Sequence, residues 1–570
     1  MISIIDGYVD EPTCLGVPPY ISPYPRYIAG SIWDIDPSLK VFYITIDNIR
    51  KDHSIIETIR KSDMVIIIAG VTVPGRYLSG LPMSPNEIIR FFSDMRKPLM
   101  VLCGPAARYG FGVSGGKYVC DVKKVEDIFD IVIKGDAEII IPDLLENGLK
   151  IDKIDNEICR HDPYQIASYA VKGASICTQH PFYPDYLIAE IETYRGCPRS
   201  ITGGCSFCSE SSRGLPMFRS IDDILSEIEE LYKYGVRHFR LGNQPCLFSY
   251  MAKDTGKEEY PKPNPEAIDK LFKGVRRVAP DLLTLHIDNV NPGVVFRYPY
   301  ESKRIIKSII RYHTPGDVAA LGVESVDPVV IKNNNLKVSS DELLDVIKLF
   351  NELGSGRGDN GLPELLPGLN FVFGLIGESK ETYKLNYLFL KDVVDRGLLL
   401  RRINMRQVMP IPGTRIGEIG DRIIKKHKTD FHRFKHRVQM DIEHILLQRL
   451  IPKGTILKRV YAEMYEGKLT FGRQIGSYPL LVGIVGCYPL RRFYDVYIID
   501  HGFRSVTALV YPVNINTASS EVIEALPGIG KGRAKRIMIK RPYKSKEEFV
   551  ESLDDKEQAL KLIDIITIKD

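Results

Sequence analysis

An apolar run at residues 186–193 (YLIAEIET) reads as a strand, and it opens directly into a glycine-rich loop with three cysteines. These are Cys197, then Cys205 and Cys208 as a Cys-x-x-Cys pair, with Gly203 and Gly204 in front of the pair. Two adjacent glycines let the chain return tightly on itself. A strand that ends in three neighbouring thiols narrows the possible folds, because the strand has to be buried and the loop has to sit at its carboxyl end. The chain has 10 cysteines in 570 residues, and the other seven are scattered. They read as small buried hydrophobes. The start, MISIID, reads as a first strand and not as a signal peptide, so a disulfide framework is not expected.

Thiolates are the ligands of iron–sulfur clusters, and three of them leave one iron of a four-iron cluster free to bind a small molecule. Cys-x-x-Cys is also a zinc half-site. A structural zinc would want a fourth ligand, and the flanking histidines are His180, before the strand, and His238, far downstream. On the residues alone both metals remain open.

The length predicts about three or four domains. A net charge of +5 means that any nucleic-acid binding has to come from local basic patches. No apolar run approaches the roughly 20 residues of a membrane span, so no membrane partner and a cytoplasmic location are expected.

Residues 1–150 alternate apolar runs with amphipathic segments. Residues 40–47 (KVFYITID), 64–69 (MVIIIA) and 99–103 (LMVLC) read as buried parallel strands, and 86–95 and 125–133 have helical spacing. This predicts an α/β domain with a doubly wound parallel sheet. A ligand would sit at strand-end loops such as 70–75 and 104–105. The glycine-rich turn at 112–117 (GVSGGK) lacks P-loop spacing.

Strand–helix units continue over residues 180–420. Strands are expected at 236–241, 282–287, 318–323, 369–373 and 403–408, and amphipathic helices at 221–233 and 341–353. With the strand before the cysteines this gives six units, a partial (β/α)6 barrel whose strand-end polar residues face the active side. His286 and Asp288, at one such end, read as a buried structural pair ahead of a proton-transfer pair. The loop at 353–361 (LGSGRGDNG) reads as a connector ahead of a lid.

A basic segment at 422–437 contains Phe431 and Phe434. It reads equally as a solvated helix face and as a phosphate contact. Short strands at 454–460, 467–473, 480–485, 494–499 and 506–511 predict a small β-barrel over 445–512, of the kind that binds oligonucleotides. In 513–570, NINTA is followed by LPGIG and RAKRI, which predicts a helix-hairpin-helix. Its turn, with Gly528 and Gly530, would offer backbone N–H groups to a phosphate, and Lys531, Arg533, Lys535 and Arg536 would add charge.

The central segment resembles the radical S-adenosylmethionine (SAM) superfamily. The resemblance rests on the three cysteines followed in order by Gly242–Asn243–Gln244, Gly322–Val323–Glu324–Ser325, GLIGES at 374–379 and PIPGT at 410–414. It implies a [4Fe–4S] cluster on Cys197, Cys205 and Cys208. It also implies SAM contacts from Phe207, Gly242, Asn243, Gln244, Glu324, Ser325, Gly374 and Gly377. The implied chemistry is reductive cleavage of SAM, with the radical abstracting hydrogen from a substrate and an electron supplied by a donor such as ferredoxin or flavodoxin. The usual cysteine spacing is three residues and then two; here it is seven and then two. The N-terminal segment resembles the cobalamin-binding-type domain that precedes many such enzymes, on Pro25–Gly30, Cys103–Gly104–Pro105 and the turn 134–138 (KGDAE). Its Asp-x-His-x-x-Gly signature is absent, so cobalamin remains a candidate cofactor only. The expected function is modification of a nucleic acid such as tRNA, RNA being favoured over DNA, by methylation or sulfur insertion. The alternatives are a non-catalytic nucleic-acid-binding protein with a structural cluster, and a radical enzyme acting on a protein or small molecule.

Overall fold

The computed structural model describes residues 1–11, 14–15, 19–70, 81–113, 117–120 and 122–568. The strand-end loop 71–75, the middle of the glycine-rich turn at 112–117 and the side chains of Cys14 and Cys120 lie outside the described residues.

The N-terminal sheet has five parallel strands: β1 (Ile2–Asp6), β2 (Val41–Thr45), β3 (Met64–Ile68), β4 (Leu99–Cys103) and β5 (Ile131–Val132), in the order β5-β4-β3-β1-β2. β-Branched residues fill β1 and β3, as expected for strands covered on both faces. The two-residue period divides them cleanly. Ile2, Ile4, Met64, Ile66 and Ile68 pack with Ile28 and Ile32 of α1 (Pro23–Ile35). Ile5, Val65 and Ile67 pack with Ile88, Phe91 and Phe92 of α2 (Pro85–Phe92).

One expectation fails in this sheet. Residues 125–133 do not form a helix but a short 3-10 turn at Glu126–Ile128 followed by β5. Ile131, Val132 and Ile133 are three consecutive β-branched residues, and they gain more by extending along β4, where Ile133 N–H donates to Leu102 O at 2.8 Å.

Seven further strand segments follow: β6 (Ile188–Glu192), β7 (His238–Gly242), β8 (Thr284–Ile287), β9 (Asn289–Val290), β10 (Asp317–Glu324), β11 (Leu365–Phe373) and β12 (Arg402–Gln407). They form two parallel sheets, β8-β7-β6, extended past β6 by Tyr20–Ile21, and β9-β10-β11-β12. Only Asp288 separates β8 from β9, so the strands follow one another in chain order across the join. The helices between them form as their spacing dictates. In α3 (Ile221–Lys233) the Ser220 hydroxyl caps the Asp223 N–H, and Ile221, Ile224, Leu225, Ile228 and Leu231 are buried.

The N-terminal domain is locked to this body by buried charge. Arg26 of α1 pairs with Glu227 of α3. Arg219 reaches Asp223 at 2.7 Å, Glu227 at 2.6 Å and the Tyr27 hydroxyl at 2.8 Å.

The basic segment forms two helices, Arg422–Lys426 and Lys428–Val438. Phe431 and Phe434 are buried, with ring centroids 5.3 and 5.0 Å from Phe373. They anchor the second helix and are not available to stack on bases. The connector at 353–361 is held from two sides, with Asn360 Nδ2 donating to Pro315 O at 2.8 Å and Gln474 Nε2 donating to Asn360 O at 2.9 Å.

Five strands then close a barrel: β13 (Ile456–Glu466), β14 (Leu469–Gln474), β15 (Leu481–Val485), β16 (Phe493–His501) and β17 (Ser505–Val510), ordered β13-β14-β15-β17-β16. The chain ends in paired helices, the first two being α4 (Ser520–Glu524) and α5 (Lys531–Lys540), around their own core. No helix among the described residues is long and apolar enough to cross a membrane.

Asp6, at the carboxyl end of β1, supplies a pH test. Burial pushes its carboxyl up to about 6, although the Tyr43 hydroxyl and the Tyr8 N–H pull the other way. The folded state therefore holds this proton more tightly than the unfolded chain. The stability it contributes is full below pH 3.8 and is lost as pH rises through about 6. Asp6→Asn should match wild type in thermal midpoint near pH 4 and exceed it by on the order of 2–3 kcal/mol at neutral pH. Parallel midpoints across that range would refute the assignment.

Candidate active site

A cavity of about 230 Å³ opens at the carboxyl ends of β6–β12, and Cys197, Cys205 and Cys208 all line it. The loop that carries them is tied at its base by the antiparallel pairing of Tyr194–Arg195 with Met217–Phe218. Cys197 N–H donates to Gly214 O at 2.9 Å, and Gly196 N–H to Glu210 Oε1 at 2.8 Å. The seven-residue gap folds as a 3-10 turn, Pro198–Thr202. Gly203 (φ 79°) and Gly204 (φ 64°) then turn the chain back, a conformation a side chain would strain.

The far side of the loop docks on the segment after β10. Ser206 Oγ donates to Asn334 Oδ1 at 2.6 Å, and Asn335 Nδ2 donates to Gly204 O at 3.1 Å. Ser206 O accepts the Ile416 N–H at 3.0 Å, which brings the PIPGT turn against the same loop.

Burial pushes the Cys197 thiol up to about 12 and the Cys208 thiol also well above the usual range. Ligation by a cation would deprotonate them. Among the described residues no three His, Cys, Asp or Glu side chains converge on one ion position. All three cysteines do line the one cavity.

The expected SAM-contact residues divide into two groups. Phe207 and Glu324 line the cavity, and Glu324 Oε2 accepts from Lys337 Nζ at 2.7 Å. Gly242, Asn243, Gln244, Ser325, Gly374 and Gly377 are not among its lining residues. A Cβ on Gly242 would lie 2.4 Å from Glu190 Oε1. Asn243 (φ 54°) donates to Glu192 Oε2 at 3.2 Å, and Gln244 donates to Leu241 O at 3.1 Å. Ser325 Oγ accepts the Asp327 N–H at 3.2 Å. Gly374 N–H donates to the Glu378 carboxylate, and a Cβ on Gly377 would meet Asn333 at 2.5 Å. Pro245 and Cys246, directly after the expected triplet, do reach the cavity.

Sequence reasoning missed other lining residues. Asn370 is a polar position inside an otherwise apolar strand, and Asn404 and Arg406 alternate with the buried Ile403 and Met405, a signal that they share a face. Tyr478 had no such signal, since it comes from the C-terminal barrel. The loop between β14 and β15 is inserted beneath the parallel strands. Tyr20 Oη donates to Gly476 O at 3.3 Å, and Ser477 N–H donates to His286 Nδ1 at 2.8 Å. Tyr478 (φ 54°) donates from Oη to Asp288 Oδ1 at 2.9 Å, with the Arg402 guanidinium 4.0 Å from its ring centre. His286 and Asp288 thus hold this plug. Burial pushes His286 down to about 4, which keeps it the neutral acceptor that the Ser477 N–H needs.

At the C-terminus Gly528 has φ 72°, and the Gln558 side chain packs on it and donates to Pro527 O at 2.7 Å. Gly530 caps α5 with open space around it. Lys531 and Lys535 are exposed, whereas Arg533 and Arg536 pair with Asp555 (3.6 Å) and Asp554 (2.5 Å).

Residues 191–385, which contain the three cysteines and β7–β11, match the Radical SAM superfamily, and residues 511–558 match a helix-hairpin-helix motif. The chain belongs to the radical SAM superfamily. It is an enzyme of that superfamily, whose cofactors are a [4Fe–4S] cluster and SAM. An uncharacterised protein of Methanocaldococcus jannaschii is 48% identical over 512 residues, 89% of this chain and 92% of that protein. One from Archaeoglobus fulgidus is 42% identical over 556 residues, 97% and 98% of the two chains. The ribosomal protein uS12 methylthiotransferase RimO of Pasteurella multocida is 26% identical over 290 residues, 49% of this chain and 58% of that one.

The plug makes a paired prediction. A Cβ on Gly476 would lie 2.5 Å from His286 Cε1, whereas one on Gly532, in α5, meets nothing within 4 Å. Gly476→Ala should lower the thermal midpoint by the equivalent of about 1–3 kcal/mol. Gly532→Ala should leave it unchanged or raise it by up to ~1 kcal/mol. A Gly476→Ala variant as stable as wild type would mean that the loop is not seated there.

Proposed function

We propose that this radical SAM enzyme holds its cluster on Cys197, Cys205 and Cys208 and uses it to modify a nucleic acid, RNA in preference to DNA. The observation that carries the reading is that three thiols line one cavity at the carboxyl ends of parallel strands, inside the segment that matches the superfamily. The residues fit the group, since three ligands leave one iron open and the cavity continues past them along Phe207 and Glu324. When bound, the cluster supplies the electron that breaks a carbon–sulfur bond of SAM. The chain's own residues do the rest. Phe207 offers a ring face to the adenine, Glu324 offers a carboxylate to the ribose, and the plug from the C-terminal barrel closes the floor against water.

In this reading residues 180–420 form a partial (β/α)6 barrel, 1–150 a cobalamin-binding-like domain, 445–512 an oligonucleotide-binding-like barrel and 513–570 a helix-hairpin-helix. The strand at β7 leaves Gly242, Asn243 and Gln244 as supports of the SAM wall, as Ser325, Gly374 and Gly377 are at later strand ends. A ferredoxin or flavodoxin would deliver the electron. Gly528, Gly530 and the free cations Lys531 and Lys535 support a backbone phosphate contact, with Arg533 and Arg536 exchanging their aspartate partners for phosphate. Methylation or sulfur insertion is the transfer proposed, and cobalamin a candidate second cofactor.

The similarity to a methylthiotransferase named for ribosomal protein uS12 favours a second reading, in which a ribosomal-protein side chain is modified.

Anaerobically reconstituted protein should hold about four irons and release 5′-deoxyadenosine or methionine from SAM under reduction. Cys197→Ala, Cys205→Ala or Cys208→Ala should abolish both, and a wild type that carries zinc and leaves SAM intact would defeat the cluster assignment. Nucleosides from cells lacking the gene should lose one modified species; an unchanged inventory with an altered uS12 mass would select the protein substrate. RNA affinity should fall steeply with salt, and Lys531→Ala with Lys535→Ala should reduce that slope by about 0.7 per lost contact on single strands. A slope identical to wild type would remove the hairpin from the binding surface.

A further inference from the structure

The long gap between the first two cysteines does more than span distance, because it carries a buried cation onto one of the sulfurs. Arg199 is the second residue of the 3-10 turn, and it is 2% exposed. Its Nη1 donates to Cys205 Sγ at 3.0 Å, Nε to Glu259 Oε1 at 2.7 Å and Nη2 to Asn335 O at 2.6 Å. The backbone supports the same geometry, with Gly204 N–H donating to Arg199 O at 2.9 Å. Three fixed hydrogen bonds leave the guanidinium no freedom to turn away, and it stays charged at all accessible pH values. Cys205 Sγ here stands for the sulfur of an iron-bound thiolate. Neither Cys197 nor Cys208 has a comparable side-chain partner among those described.

We infer that Arg199 is a positioning residue that tunes the cluster: its charged hydrogen bond to the Cys205 sulfur makes the cluster easier to reduce. The inference rests on Cys205 being a ligand. Reduction adds one negative charge to the cluster, and part of that charge falls on the thiolate sulfurs. A fixed cation donating to one sulfur stabilises the reduced form more than the oxidised form. Glu259 opposes it by neutralising part of the guanidinium charge. The two residues therefore push the potential in opposite directions, which a purely structural role for the pair would not do.

The test is a redox titration of the reconstituted full-length protein, followed by electron paramagnetic resonance, on wild type, Arg199→Gln and Glu259→Gln. Iron and sulfide are measured on each. Arg199→Gln should keep its iron and shift the reduction equilibrium at least tenfold toward the oxidised cluster, ~59 mV to more negative potential for one electron. Glu259→Gln should shift it to more positive potential. A four-iron Arg199→Gln protein with the wild-type midpoint overturns the inference. If Arg199→Gln loses its cluster, Glu259→Gln decides, and the absence of a positive shift overturns it. The ligand assignment fails separately, by Cys205→Ala retaining a wild-type cluster.

Discussion

The structure depends on charge buried along β6, the strand that feeds the cysteine loop. Glu190 and Glu192 sit two residues apart on it and are 0% and 3% exposed. Glu190 faces Arg240 of β7 at 3.3 Å, and Glu192 faces Arg160 at 2.9 Å. Arg160 and Arg195 in turn meet Asp136 and Glu138, from the turn at the end of the N-terminal sheet. Burial alone would push the Asp136 carboxyl up, but the two guanidiniums hold it well below the usual range. Such a web is weak evidence for net stability, since an apolar replacement of all its members can do as well. Its effect is on geometry. Any other register of β6 would strand a carboxylate in the core at a cost of about 3–5 kcal/mol. Arg195 lies two residues before Cys197, so the N-terminal domain fixes where the cysteine loop begins.

Much of the fold was legible because local pattern and tertiary environment agree. The helix 221–233 has its Ser220 cap and its apolar stripe in the sequence itself, and the structure has the same bounds. The barrel strands alternate between turn residues and were recovered to within a few positions, with β13 running on to Glu466 through an exposed outer half that pairs with β14, and β16 running on to His501. The segment 125–133 misled because a short β-branched run satisfies both periodicities, and only the open edge of β4 decides between them.

The site was legible by residue type and less so by position. The three cysteines stood out because they cluster while the other seven are scattered, and Phe207 because the resemblance gives a role to the aromatic residue before Cys208. The strand-end glycines and amides were read as motifs, yet they are not among the residues that line the cavity, and Gly377 (φ 87°) sits in a tight turn against Asn333. The residues that do face it include Lys337, Asn370 and Tyr478, which share no stretch of sequence with the cysteines. Alternation could have placed Asn370. Nothing local could have placed Tyr478, because its position follows from docking two domains.

That docking changes what the C-terminal barrel is for. A reader of nucleic acid on a flexible tether would need no contact with the reaction chamber. Here β14 and β15 send a loop under the parallel strands. Its Gly476 has no room for a side chain, its Ser477 N–H needs a neutral His286, and its Tyr478 is held at a positive φ between Asp288 and Arg402. A non-glycine residue in that conformation costs about 1–3 kcal/mol and persists only where its surroundings impose it. The barrel therefore completes the floor of the cavity, and any movement of the barrel would be felt at the Asp288 carboxylate that lines it. The two ends of the chain converge on the cysteine loop in different ways. The N-terminal domain sets its starting point through Arg195, and the C-terminal barrel sets the depth of the space below it through Tyr478.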